Sequence, residues 1–331
     1  FHGRESEIST ILKAFYQENP RIAILGAGGM GKTSLSRAVL HHPNITTRFE
    51  QHRFFVTCDT VSTSAQLAGL IATHIGLKQG NNPIQPIIRY FTSSPPSLLI
   101  LDNLETVWEP TDSRGDIERF LALLTEVDHM SLIITMRGAE RPANVHWTRP
   151  FLPALKPLPL DAARQTFADI TDNVDDAKDI DKILLLTDNM PLAINLIAYL
   201  VDYEGLSAVL TRWETDKTSI LSEGYDTKSN LELSISVSLS SPRITSSPHA
   251  LNLLSLLSVL PDGLSDVELL QSKLPLVNTL ACKSILLRTS LAYIDDQRRL
   301  KTLAPIREYV RKRHPPTNDL IRPVFKHFQE L

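Results

Sequence analysis

Arg21-Ile22-Ala23-Ile24-Leu25-Gly26 runs straight into Ala27-Gly28-Gly29-Met30-Gly31-Lys32-Thr33, and this junction decides the fold. The first segment is a short continuous apolar run, as expected of a strand covered on both faces. The second completes the pattern G-x-x-x-x-G-K-[ST] from Gly26 to Thr33. Beyond it, Lys32 to about His41 reads as a helix. A glycine-rich turn between a strand and a helix N-terminus lets backbone N–H groups cradle phosphate oxygens. Lys32 then offers a point charge to the β- and γ-phosphates, and the Thr33 hydroxyl a ligand to Mg²⁺. Gly26, Gly28, Gly29, Met30, Gly31, Lys32, Thr33 and the following Ser34 are the expected contacts of a bound ADP or ATP. The bland alternative is a glycine-rich βα turn with no ligand.

Three more apolar runs follow the first: Arg53–Cys58, Leu98–Asp102 and Ser131–Thr135. Interleaved helical patterns imply parallel pairing and an α/β sheet with helices on both faces. Asp102 ends the third run with a carboxylate at the C-terminal strand edge, where ligands of such sheets sit. It is the expected partner of Mg²⁺ through water, together with Thr33. The next residue is Asn103, which cannot accept a proton from water. Glu105 is the nearby substitute for a catalytic base, or else a solvated loop charge. Arg137, two residues beyond the fourth run, is placed to reach a γ-phosphate; Arg141 is a weaker candidate. A surface pairing of Arg137 with a carboxylate would be the unremarkable reading.

The remaining composition bounds the class. The chain has 331 residues, 42% hydrophobic and 21% charged, enough for two or three globular domains. No apolar run of about 18 residues occurs, so no membrane partner is expected. Two cysteines, Cys58 and Cys282, argue against a disulfide framework and for a reducing, cytoplasmic setting. The start at Phe1 without Met reads as a segment of a longer protein. Charge is uneven: residues 161–240 carry 6 basic and 15 acidic side chains, residues 296–331 carry 9 and 4. Such blocks mark separate structural units rather than a partner.

Prolines 150, 153, 157 and 159 punctuate the chain, and a Ser/Pro-rich break lies at 240–248. Helical patterns dominate between and beyond them, with a hairpin expected from Leu291–Asp295 and Arg298–Lys301. The expected domains are 1–156 for nucleotide binding, 157–241 all-helical, 242–315 a winged helix, and 316–331 the start of a downstream segment. Pro191 in Asp188-Asn189-Met190-Pro191-Leu192-Ala193 reads locally as a helix start and nothing more. His41, His42 and His74 lack metal-ligand spacing, and Trp108, Trp147 and Trp213 read as packing residues.

In their order along the chain, Phe1-His2-Gly3-Arg4-Glu5, Gly26–Thr33, Leu98–Glu105, Ile133–Pro142, Met190–Ala193 and Leu303–Tyr309 resemble the NB-ARC branch of the STAND signal-transduction NTPases, most of all its fungal NLR-like members. The resemblance covers essentially the whole chain. It implies an ADP-bound closed state, an ATP-bound oligomerising state, slow or absent hydrolysis, and a role in innate-immune signalling. It further implies an upstream effector domain and downstream repeats in the full protein. Pro191 would pack against adenine, with Phe1, Gly3 and Arg4 flanking the base. The family's Met-His-Asp triplet is missing: the region Thr302–Pro305 has no histidine, and His314 lies too far along.

The rival reading is a turnover ATPase or transcription regulator whose winged helix binds DNA. It rests on Arg298, Arg299, Lys301, Arg307, Arg311, Lys312 and Arg313, which would make binding steeply salt-dependent. Asp296 and Glu308 interrupt that block, and nucleic acid is not the expected partner.

Overall fold

A computed structural model describes residues 2–77, 83–171, 177–222 and 230–329, with the side chains of residues 177–179 left aside. Phe1, expected beside the nucleotide base, lies outside the described residues. They form two compact units: one of Arg4–Gly26 and Gly31–Leu155, the other of Phe1–Gly3, Ala27–Met30 and Lys156–Leu331.

The first unit contains α1 (Glu5–Ala14), β1 (Arg21–Gly26), α2 (Lys32–Leu40), α3 (Pro43–Phe49), β2 (Arg53–Thr57), α4 (Ser64–His74), α5 (Ile84–Ser93), β3 (Ser97–Asp102), α6 (Glu105–Trp108), α7 (Thr111–Thr125) and β4 (Met130–Arg137). All four expected strands form, within a residue or two of their predicted ends. They make one parallel sheet in the order β1-β4-β3-β2. Every residue of β3 is buried, as is β4 up to its final arginine; burial of both faces explains the unbroken apolar runs. Phe91 of α5 and Phe120 of α7 are fully enclosed on the sheet, each contributing about 1.5–3 kcal/mol by leaving water.

The proline-marked stretch after β4 is no simple linker. Leu155 donates its N–H to the Leu25 carbonyl at 2.7 Å and forms a parallel bridge with Gly26. A Cβ on Gly26 would come within 3.2 Å of the Leu155 backbone, so the first glycine of the loop is required by this close approach.

In the second unit the chain continues as α8 (Leu160–Ala168), α9 (Ala177–Thr187), α10 (Pro191–Glu204), α11 (Leu206–Asp216), a 3₁₀ turn at Lys217–Leu221 and α12 (Leu231–Leu239). It goes on through α13 (Pro242–Thr245), α14 (Pro248–Ser258), α15 (Asp266–Gln271), α16 (Thr279–Arg288), β5 (Tyr293–Ile294), β6 (Leu300–Lys301), α17 (Ala304–Arg313) and α18 (Asn318–Gln329). The segments 157–241 and 242–315 thus fall in one compact unit. The expected hairpin forms, but only two residues of each arm pair. Leu264 bridges to Leu300 and so adds a third edge. Gly263 makes this possible: its φ is +66° and a Cβ would lie 2.2 Å from the Leu300 carbonyl oxygen. The backbone N–H of Ala304, at the start of α17, donates to the Asp188 carboxylate in the turn between α9 and α10, where Asp188 and Asn189 both have positive φ. Among the described residues no helix is long and apolar enough to cross a membrane.

Candidate phosphate-binding site

The sheet order places β4 between β1 and β3, so the C-terminal ends of these strands meet around the start of α2. Gly29 and Gly31 have φ of +78° and +83°, values that side-chain-bearing residues rarely adopt. Gly31 caps α2 without any side-chain hydrogen bond, and a Cβ built on it meets nothing within 4 Å. The first turn of α2 holds no acidic side chain. Donor N–H groups beside open space suit an anion at the positive end of the helix.

Lys32 is buried and donates from Nζ to the Gly26 carbonyl at 3.0 Å. Burial pushes its ammonium down to about 8. Glu105 opposes this, Arg137 adds to it, and Asp102 opposes it again. The cation is therefore held in a place that favours a further negative charge. Thr33 Oγ1 donates to both carboxylate oxygens of Asp102 at 3.0 Å. Asp102, at 1% exposure, also accepts from Thr135 Oγ1 at 2.6 Å. This hydroxyl–carboxylate arrangement has the donor set of an Mg²⁺ ion held by one hydroxyl and by waters on a carboxylate. Among the described residues no three His, Cys, Asp or Glu groups form a metal cluster.

Arg137 ends β4 and pairs through Nε with Glu105 Oε1 at 3.3 Å, both side chains being largely buried. Glu105 is therefore no solvated loop charge, and Arg137 no surface ornament. Arg141 is engaged elsewhere: it donates to the Leu152 carbonyl at 2.8 Å and stacks on Phe151. Ser34 is exposed on α2.

The loop tip Ala27–Met30 belongs with the second unit. Leu192 donates its N–H to the Gly29 carbonyl at 3.1 Å, and a Cβ on Gly29 would lie 3.0 Å from Leu192 Cβ and 3.2 Å from Met190 Cε. Pro191, first residue of α10, is thereby placed one position from the tip of the glycine loop. Gly3 sits against α8, where a Cβ would meet Ala162 Cβ at 2.5 Å. In the first unit Arg4 is buried at the start of α1 and pairs with Glu7 at 3.0 Å.

Two participants escaped the sequence. Thr135 is the only polar residue within Leu132–Met136, a signal that could have marked it. Asp59 follows β2 in an unremarkable turn, yet its Oδ1 accepts from Asn103 Nδ2 at 2.7 Å; nothing in its local sequence announces that partner.

Comparison with solved structures places this architecture. The chain is similar to the Walker-type ATPase PABY2304 of Pyrococcus abyssi, with a TM-score of 0.61 at 14% identity over 93% of this chain and 95% of that one. It is also similar to the ORC1 protein of Aeropyrum pernix, solved in complex with DNA, with a TM-score of 0.50 at 16% identity over 94% and 93%. Identities this low speak to fold alone, and the fold is that of P-loop NTPases. No curated protein sequence matches the chain. Residues 1–148 match the family model of Novel STAND NTPase 1.

Proposed function

We propose that this chain is a STAND-type nucleotide switch that binds ADP or ATP with Mg²⁺ on residues 26–33 and hydrolyses ATP slowly if at all. One observation carries the reading: Thr33 and Asp102 are paired beside a buried Lys32, while an amide, Asn103, follows Asp102. The first feature suits phosphate and metal binding. The second removes the adjacent carboxylate that would activate water. The match of residues 1–148 to a STAND family supports the same class.

In this reading Lys32 and the loop N–H groups hold the phosphates and Thr33 and Asp102 hold the metal; the family resemblance adds Pro191, Gly3 and Arg4 as base-contacting residues. Arg137 rests on Glu105 until a γ-phosphate competes for its guanidinium. A ligand can move such an equilibrium only through its different affinity for the two states; that competition supplies the difference between ADP and ATP. The closed form with ADP is a monomer and the ATP form self-associates, as in the NB-ARC switches that the motif order resembles. We assign residues 242–315 to a winged helix and place the chain within a larger cytoplasmic receptor with an effector domain and repeats.

The chain purified from its host is expected to carry ADP and to turn over far below the roughly 1–10³ s⁻¹ of ordinary enzymes. Steady hydrolysis of many ATP molecules per second would contradict the switch reading.

A DNA-binding reading draws its motive from the basic stretch between Arg298 and Arg313 and from the ORC1 likeness. Against it, several of those cations are engaged within the chain: Arg299 with Glu268 at 3.0 Å, Lys301 with Asp295 at 3.0 Å, and Arg313 with Glu232 at 3.3 Å. A salt-sensitive shift of duplex DNA by the chain would restore it.

A further inference from the structure

We propose that Asp59 is the carboxylate that takes the proton from water in the residual hydrolysis of ATP, with Asn103 as the residue that positions it. The inference rests on the phosphate-site reading above.

Three carboxylates stand at the C-terminal ends of β2 and β3, and two are already engaged. Asp102 is buried and accepts hydroxyl hydrogen bonds from Thr33 and Thr135. Glu105 is buried and ion-paired with Arg137, so proton uptake there would break a pair in a poorly solvated place. Asp59 is exposed, keeps access to bulk solvent, and can return a proton to it.

Its position is fixed from the phosphate side. Asn103 Nδ2 donates to Asp59 Oδ1 at 2.7 Å, while the Asn103 backbone N–H donates to Thr135 Oγ1 at 3.0 Å. Thr135 in turn donates to Asp102, which accepts from Thr33. One continuous hydrogen-bonded path thus joins Asp59 to the threonine of the glycine loop. Asn103 takes up φ of +57° at this point, a conformation asparagine tolerates better than most residues. The thiol of Cys58 reports the same crowding: burial pushes it up first, and Asp102, Glu105 and Asp59 each add to the rise. The amide thus follows Asp102, and the carboxylate comes from the end of the neighbouring strand.

In the step, the water oxygen bonds to the γ-phosphorus as the bond from that phosphorus to the β,γ-bridging oxygen breaks, its electron pair leaving with ADP. Asp59 accepts the proton of the attacking water and releases it to solvent. The products are ADP, inorganic phosphate and one proton.

Single-turnover hydrolysis of ATP by the 331-residue chain and by Asp59→Asn tests the assignment, with binding of a non-hydrolysable ATP analogue measured in parallel. General-base catalysis predicts a loss of about 10²–10⁴-fold in Asp59→Asn, with unchanged analogue affinity. An Asp59→Asn rate equal to the parent's, or no hydrolysis by the parent, would overturn the proposal. Failure of the parent to bind the analogue would instead overturn the phosphate-site reading beneath it.

Discussion

Lys32→Ala is expected to weaken ATP and ADP binding by about 2–5 kcal/mol, roughly 30-fold to several thousandfold, the range for losing one partner of a buried charged contact. The expectation follows from where the ammonium sits. It is buried and donates to the Gly26 carbonyl, with Glu105 and Asp102 as neighbouring negative charges. A bound phosphate would add a further anion in a setting where electrostatic contacts are strong. The same geometry fixes a pH dependence. The folded ammonium titrates near 8, below its ordinary 10.5. Between those values the unfolded chain holds more protons, so stability without ligand rises with pH across that window. Phosphate binding favours the charged form and takes up a proton above pH 8, so nucleotide affinity should fall as pH rises beyond 8. Isothermal titration at pH 7 and pH 9.5 reads both effects. Lys32→Ala should lose the pH dependence as well as the affinity, and normal affinity in this variant would refute the site.

Asp102→Asn is expected to uncouple nucleotide from metal. Asp102 holds Thr33 and Thr135 through both oxygens, and the amide keeps shape and one acceptor while removing the charge. Loss of a positioned carboxylate around a metal typically costs roughly 10–100-fold in metal affinity. ATP affinity measured with and without Mg²⁺ should therefore differ strongly in the parent and little in the variant. Binding without Mg²⁺ should persist, because Lys32 and the loop N–H groups are intact. A variant retaining the full Mg²⁺ enhancement would show that Asp102 has only a packing role.

The legible and illegible parts of this molecule differ for physical reasons. Leu98–Asp102 announced a buried strand because a sheet covered on both faces tolerates no polar residue until its edge. Gly26–Thr33 announced its turn because only glycine adopts the required backbone angles cheaply. Both signals are local. The Asn103–Asp59 bond joins residues 44 positions apart, and its partners meet only through the register of β2 on β3, in which Thr57 lies beside Asp102. The pairing of Arg137 with Glu105 is likewise set by the adjacency of β3 and β4. Pro191 was readable only as a helix start; the bond from Leu192 to Gly29 is a tertiary contact with no local trace. The stretch between Pro150 and Pro159 was readable only as a break in the pattern. Within it Leu155 pairs with β1 through its own N–H, a donor that proline would lack.

Sedimentation of the 331-residue chain loaded with ADP, and then with a non-hydrolysable ATP analogue and Mg²⁺, tests the switch most directly. A monomer with ADP and a larger species with the analogue is the predicted result, with Lys32→Ala indifferent to both. The same mass in both nucleotides, with binding of each established, would contradict it.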